Sequence, residues 1–130
     1  MSDIRHQMAD ERMRQMGYED LKVYEKSYKS ALSIYRMSES FPKEEIYGLT
    51  SQIRRAATSI PLNIAEGYAK KESQAEFKRY LMMALGSSDE MQVLLNFVKD
   101  LGYIDLETHR KSRETYKEIA KMLNRMVKSI

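Results

Sequence analysis

The side chains of this 130-residue sequence that could bind a ligand are mostly basic. We give the name basic set to the six that fall around the end of the second predicted helix and the start of the third: Arg54, Arg55, Lys70, Lys71, Lys78 and Arg79. A second basic group recurs at helical spacing near the C-terminus: Arg110, Arg113, Lys117, Lys121, Arg125 and Lys128. Clustered Lys and Arg can contact phosphates, so both groups are candidate nucleic-acid contacts. An ordinary solvated helix face is the alternative interpretation of each. In the second group, Glu114 and Glu118 each precede a lysine by three residues, as on an ordinary solvated face. The basic set is our preferred interface.

Polar residues in the second predicted helix form a different kind of pattern. Gln52, Ser59, Asn63 and Glu66 share one face, which lies beside the apolar stripe and not opposite it. Ser87, Ser88 and Glu90 of the third helix are candidate partners for this face. We call the face, together with Ser87 and Glu90, the polar seam. Polar groups near a core destabilise it unless they are paired. The seam therefore predicts either a buried hydrogen-bond network that fixes helix register or a surface for an oligomer or a ligand.

Catalytic patterns are missing from the sequence. It contains no P-loop, no dinucleotide-binding glycine motif, no zinc-protease helix motif and no paired Glu-x-x-His motifs. His6 and His109 are its only imidazoles, and His109 falls on the inner stripe of the fourth predicted helix, where a structural role is expected. We therefore predict a protein that is not an enzyme and that uses no metal or cofactor.

Composition places the chain in a broad class. The net charge of +3 permits nucleic-acid binding without requiring it. Cysteine is absent, no apolar run approaches the ~20 residues of a membrane-spanning helix, and residues 1–17 lack the apolar core of a signal peptide. These features predict a cytoplasmic protein without disulfides.

Helical periodicity predicts four helices, over about residues 18–41, 43–68, 73–101 and 105–130. Pro42 should end the first, Ser73 and Glu76 should form a capping box for the third, Gly102 should end it, and Asp105 should cap the fourth. Short connections between long helices favour an all-α, antiparallel up-down-up-down four-helix bundle over residues 18–130. Residues 1–17 form a polar arm that is either a frayed helix or disordered.

The apolar stripes predict which residues face the core. The predicted inner faces are Leu21, Tyr24, Tyr28, Ala31 and Tyr35 in the first helix; Leu49, Ile53, Ala56, Ile60 and Ile64 in the second; Phe77, Leu81, Ala84, Leu85, Ser88, Met91, Leu95 and Val98 in the third; and Leu106, His109, Tyr116, Ala120, Leu123 and Val127 in the fourth. Pro61 should kink the second helix without ending it. Gly86 should mark a close helix contact, whereas Gly67 should mark a helix end.

Two strings in the second helix are specific enough to indicate a family. Gln52-Ile53-Arg54-Arg55-Ala56 and Asn63-Ile64-Ala65-Glu66-Gly67, followed by Ala84-Leu85-Gly86-Ser87-Ser88-Asp89-Glu90, resemble the four-helix-bundle proteins encoded in intervening sequences of bacterial 23S ribosomal RNA genes. The resemblance runs from about Tyr18 to the C-terminus. The chain differs from the family in its long polar arm and modest charge. The matching residues are Gln52, Arg54, Arg55, Asn63, Glu66, Gly67, Gly86, Ser87 and Glu90.

The resemblance implies a homopentameric ring and offers no catalytic residues to carry over. The family is also similar to the accessory proteins of diversity-generating retroelements, basic pentamers that bind a reverse transcriptase and its RNA template. Two hypotheses follow. The chain is either a non-catalytic oligomeric scaffold that binds structured RNA, with a reverse transcriptase as candidate partner, or a protein-interaction module that does not bind nucleic acid directly.

Overall fold

The computed structural model describes Ile4 and residues 17–130. Residues 1–3 and 5–16 of the predicted polar arm lie outside the described residues. Four helices account for most of the described chain: α1 spans Lys22–Ser38, α2 Leu49–Ala69, α3 Gln74–Asp100 and α4 Leu106–Ser129. Short 3₁₀ turns occupy Tyr18–Asp20 and Lys43–Glu45. Residues 17–130 contain no strand, so the all-α prediction is confirmed.

Contacts between the helices show that sequential neighbours run antiparallel. The end of α1 meets the start of α2, where Arg54 binds Ser38. The antiparallel pairing of α3 and α4 is equally clear, because Ser88 binds the Tyr116 carbonyl while Asn96, later in α3, binds His109, earlier in α4. Contacts between α1 and α4 close the bundle. The predicted up-down-up-down order is therefore the observed one.

The loop between α1 and α2 is longer than predicted. Helix α1 ends at Ser38, before the predicted residue 41, because Pro42 pushes Phe41 out of the α region. Helix α2 begins at Leu49 and not at Lys43, because Gly48 adopts a non-helical conformation (φ −111°, ψ −116°) after the 3₁₀ turn. The two predicted boundaries were wrong. Helix α2 then continues through Pro61 to Ala69, as expected.

The caps of α3 and α4 largely follow the prediction. Ser73 Oγ accepts the Glu76 N–H, but the reciprocal half of the capping box is absent because the Ser73 N–H donates to the Lys70 carbonyl. Gly102 has φ +79° and ends α3, with its own N–H bonded to the Lys99 carbonyl. Asp105 Oδ1 accepts the Thr108 N–H at 2.7 Å and caps α4.

The buried faces of α2 and α3 are the predicted ones, whereas those of α1 and α4 differ in part. Helix α1 buries small and aliphatic side chains, namely Val23, Ser27, Ala31, Ile34 and Ser38. The predicted core residues Tyr28 and Tyr35 are exposed instead, because a tyrosine with a polar tip is readily accommodated at the edge of a core. In α4, Ile119 is buried where Ala120 was predicted, and Leu106 is 76% exposed.

Candidate nucleic-acid interface

The turn between α2 and α3, with the first turns of α3, carries four cations of the basic set. Gly67 is buried there, and a Cβ at this position would lie 2.8 Å from the Cβ of Tyr80. Gly67 therefore permits the close approach of α2 and α3, and it is not simply the end of a helix as predicted. This approach places Lys70 and Lys71, just after α2, beside the first turns of α3, which carry Lys78 and Arg79.

Two tyrosine rings hold three of these cations. Lys70 Nζ donates a 2.8 Å hydrogen bond to the hydroxyl of the buried Tyr80 and lies 4.7 Å from its ring centroid. The Arg79 guanidinium lies 4.6 Å from the same ring. Lys71 Nζ is 3.9 Å from the centre of the Tyr68 ring. Cations at these distances are attracted by the electron-rich ring face, so less side-chain freedom remains to be lost when a phosphate binds.

The charges of the cluster are not equally available. Arg79 Nε donates to Glu76 at 2.7 Å, and this bond lowers the pKa of the Glu76 carboxyl and raises the pKa of Arg79. The hydrogen bond to Tyr80 raises the pKa of Lys70, so its ammonium remains charged at neutral pH. Lys78 is exposed. We call Lys70, Lys71, Lys78 and Arg79 the turn cluster.

The other two members of the basic set lie elsewhere. Arg55 precedes Lys70 on the same helix by about 22 Å, at 1.5 Å of rise per residue. Its guanidinium is 3.7 Å from Glu90 Oε1, and its side chain is 70% exposed, so the pair is a weak one. The basic set is therefore two separate groups, because a long helix keeps residues distant in sequence distant in space.

Arg54 is occupied within the fold. Its Nε donates to Ser38 Oγ at 2.8 Å, and its ring-facing guanidinium lies 4.7 Å from the centroid of Tyr35. It also donates to the Tyr35 carbonyl at 3.4 Å. A guanidinium at this place satisfies groups at the C-terminal end of α1 and complements the helix dipole. These contacts indicate a structural role, and we leave Arg54 out of the proposed interface.

The polar seam is not a buried network. Gln52, Glu66 and Glu90 are exposed, while Ser59, Asn63 and Ser87 are half-buried. Ser59 Oγ and Asn63 Nδ2 each donate at 2.8 Å to carbonyls of their own helix, those of Ala56 and Ser59. The buried-network alternative was wrong, because a polar side chain near a core can bind the preceding turn of its own helix. The other alternative, a surface for an oligomer or a ligand, stays a prediction. The buried interhelical bond belongs to Ser88.

The basic face of α4 is partly neutralised. Arg110 pairs with both Glu107 and Glu114, which raises its pKa. Arg113 is half-buried, and its Nε lacks a hydrogen-bond partner among the described residues. Arg110 and the remaining four cations of this group are exposed: Lys117, Lys121, Arg125 and Lys128.

His109 has a structural setting. It is half-buried, and its Nε2 lies 2.8 Å from Asn96 Oδ1. Burial and the neighbouring Lys99 and Arg113 charges lower its pKa. Within residues 17–130 and Ile4, no cluster of His, Asp or Glu could hold a metal ion. The same residues include no helix that is long and apolar enough to cross a membrane.

Two exposed apolar surfaces were missed by the sequence interpretation. The tyrosine groove, of about 330 Å³, lies between α1 and α2 and is lined mainly by Tyr24, Tyr28, Leu32, Tyr35, Pro61 and Leu62. The apolar ridge lies on the outer face of α3 and consists of Met82, Val93 and Phe97, with Gly86 among them. The helical spacing of Tyr24, Tyr28 and Tyr35 was visible in the sequence but had been assigned to the core.

Comparison with known proteins identifies a family. The profile of the family described as 23S rRNA-intervening sequence protein matches residues 19–125. A crystal structure of a protein of unknown function from the S23 ribosomal protein family of Bacteroides thetaiotaomicron is 29% identical, with a TM-score of 0.74 over 82% of this chain and 95% of that one. Among curated proteins, none is significantly similar to this chain.

Proposed function

This chain belongs to the 23S rRNA-intervening sequence protein family, and we propose that it is a non-catalytic oligomeric scaffold that binds structured RNA through the turn cluster. The observation that carries the proposal is the seating of Lys70, Lys71 and Arg79 on the Tyr68 and Tyr80 rings. Ring-held cations combine phosphate attraction with a fixed position. An oligomer repeats the cluster once in each copy, so its phosphate contacts add.

The N-terminus of α3 supports the same surface. The start of the helix carries partial positive charge beside Lys70 and Lys71, which favours an anion there. Glu76 opposes this field, but its carboxylate is already bonded to Arg79. Lys70 is bonded to the Tyr80 hydroxyl and Arg79 to Glu76. We therefore expect most of the phosphate attraction from Lys71 and Lys78.

Binding to a labelled RNA hairpin tests the proposal. The variant Lys71→Gln/Lys78→Gln should bind about 30-fold more weakly at ~0.1 M salt, because two phosphate contacts are lost. The matched control Lys43→Gln/Lys111→Gln removes the same charge at the opposite end of the bundle and should bind almost as well as the unchanged chain. Equal weakening by both pairs would show that net charge, and not the turn cluster, attracts the RNA.

A protein-interaction module is the second candidate, and the opposite end of the bundle favours it. Tyr47 is 96% exposed in the α1–α2 loop, with exposed Ile46 beside it. Leu101, just after α3, and Leu106, the first residue of α4, are exposed as well. Exposed apolar clusters often mark protein-binding surfaces. An unchanged chain that does not bind RNA at low salt would favour this function.

A reverse transcriptase is the partner that the family resemblance suggests for either function. Co-purification of the chain with a reverse transcriptase expressed from a neighbouring gene would support that role. Loss of the complex in the variant Tyr47→Ser, but not in Lys71→Gln/Lys78→Gln, would place the protein partner and the RNA at opposite ends.

A further inference from the structure

The tyrosine groove and the apolar ridge expose similar amounts of apolar surface on different sides of the bundle. In the groove, Tyr28, Tyr35 and Leu62 are 49%, 41% and 61% exposed. On the ridge, Met82, Val93 and Phe97 are 49%, 54% and 55% exposed. Each surface amounts to roughly 300 Å² of exposed side chain, comparable to the largest patch on a typical monomer. Patches of this size are often functional surfaces.

Gly86 provides an independent observation on the ridge. A glycine within a helix costs about 1 kcal/mol relative to alanine. Among the described residues, a Cβ at Gly86 would meet nothing within 4 Å, so no contact with them requires the glycine. The predicted close helix contact at Gly86 is therefore absent from the described part of the chain. A bare backbone in the middle of an apolar face allows a side chain of another molecule to approach closely.

The charges beside the two surfaces are complementary. Exposed Arg36 and half-buried Arg54 border the groove, next to Tyr35 and across from it. Exposed Asp89 lies on the ridge between Gly86 and Val93, with Glu90, which also pairs weakly with Arg55, beside it. Opposite charges around two apolar patches favour contact between them and disfavour contact of either patch with itself.

We propose that the tyrosine groove of one copy of this chain receives the apolar ridge of a second copy. This inference rests on the oligomeric part of the proposed function and names the surfaces that would build it. Because the two surfaces are unlike, the contact is heterologous, and repeating it produces a closed ring or a filament. The groove lies between α1 and α2 and the ridge lies on α3, so the two surfaces belong to different elements of the bundle.

Complementation between two variants tests the inference. Leu62→Glu disables the groove and Val93→Lys disables the ridge, and both positions are exposed, so the fold should be retained. Light scattering after size exclusion should find the unchanged chain associated and each variant monomeric. An equimolar mixture should form a 1:1 heterodimer, because one intact groove still meets one intact ridge. Circular dichroism would verify the fold, with Leu32→Glu and Met82→Lys as replacements for a variant that fails to fold.

Three results would overturn the inference. They are an unchanged chain that is monomeric at about 100 µM, variants that keep the mass of the unchanged chain, and a mixture that remains monomeric. Tyr47→Ser is the matched control. It removes an exposed apolar side chain that belongs to neither surface, so it should leave the mass unchanged. A monomeric chain that still binds RNA through Lys71 and Lys78 would contradict the interface alone. An assembled chain that ignores RNA would contradict the RNA function alone.

Discussion

Arg54 Nε donates a 2.8 Å hydrogen bond to Ser38 Oγ, and this contact joins α2 to the last turn of α1. Ser38 is buried and in turn donates to the Tyr35 carbonyl at 3.1 Å. One guanidinium therefore holds both the hydroxyl and the aromatic ring that close this end of the bundle. Arg54 is therefore a structural cation, unlike the cations that we propose for RNA binding.

Arg54→Gln should lower the free energy of unfolding by about 1–2 kcal/mol, because it removes a charged hydrogen bond at a helix C-terminus. Urea denaturation would measure the loss. The control Arg55→Gln removes an exposed cation and should change stability by less than about 0.5 kcal/mol. Arg54→Gln should leave the RNA affinity of the folded chain nearly unchanged, and a large loss of affinity would return Arg54 to the interface.

Glycine-to-alanine substitutions at Gly67 and Gly86 should have opposite effects on the stability of one copy of the chain. Gly67→Ala should destabilise it by about 1–3 kcal/mol, because the new methyl group would press on Tyr80. Gly86→Ala should stabilise it by about 1 kcal/mol, since the methyl group enters open space and raises helix propensity. Denaturation at a concentration low enough to keep the chain monomeric would compare them. Stabilisation by Gly67→Ala would contradict the close approach of α2 and α3.

Tyr116→Phe should raise the free energy of unfolding at pH 7 by about 1 kcal/mol. The Tyr116 hydroxyl is buried and has no hydrogen-bond partner among the described residues, and an unsatisfied polar group is costly. Tyr103→Phe is the control and should destabilise the chain, because the Tyr103 hydroxyl donates to Glu45 Oε2 at 2.8 Å. A Tyr116→Phe variant that is less stable would show that the hydroxyl has a partner.

The same tyrosine should make stability fall in alkaline solution. Burial raises the pKa of Tyr116 above its ordinary value of 10.0, so the folded chain keeps the proton that the unfolded chain releases. Titration of this hydroxyl therefore leaves the free energy of unfolding unchanged below pH 10 and lowers it as the pH rises further. Thermal melts between pH 9 and 11, chosen around the reference value for tyrosine of about 10, should show a smaller decline for Tyr116→Phe. Parallel declines would argue against burial of this hydroxyl.

Mild acid should also destabilise the fold through His109. Burial and the charges of Lys99 and Arg113 lower its pKa below the ordinary 6.5, so the unfolded chain takes up a proton first. The stabilising contribution is complete above pH 6.5 and is lost as the pH falls. An NMR titration of the imidazole, assigned with His109→Gln, would measure the pKa directly. A value at or above 6.5 would contradict the half-buried position.

Most of the fold could be predicted because it depends on local signals. The stripe from Ile53 to Ile64 and the caps at Ser73, Gly102 and Asp105 each follow from a residue and its near neighbours. The inner face of α1 was misplaced, because a tyrosine at helical spacing fits either a core or the wall of a groove. Only the packing against α2 distinguishes the two.

The candidate site could be predicted only in part. Four cations could be assigned to one end of the bundle, because they flank the predicted connection between the second and third helices: Lys70, Lys71, Lys78 and Arg79. The rings of Tyr68 and Tyr80 beneath them, and the bond that joins Arg54 to Ser38, depend on how the helices are rotated against one another. The roles of Gly67 and Gly86 were reversed for the same reason, because spacing does not reveal which neighbour a glycine faces.

The salt dependence of RNA binding tests the central claim most directly. The affinity of the unchanged chain for an RNA hairpin should fall steeply as salt rises from 50 to 300 mM, over about the range in which phosphate contacts are sensitive to salt. The variant Lys71→Gln/Lys78→Gln should give a slope of log affinity against log salt that is shallower by roughly 1.5, which corresponds to two lost phosphate contacts. An affinity independent of salt, or the same slope for both proteins, would contradict RNA binding through the turn cluster.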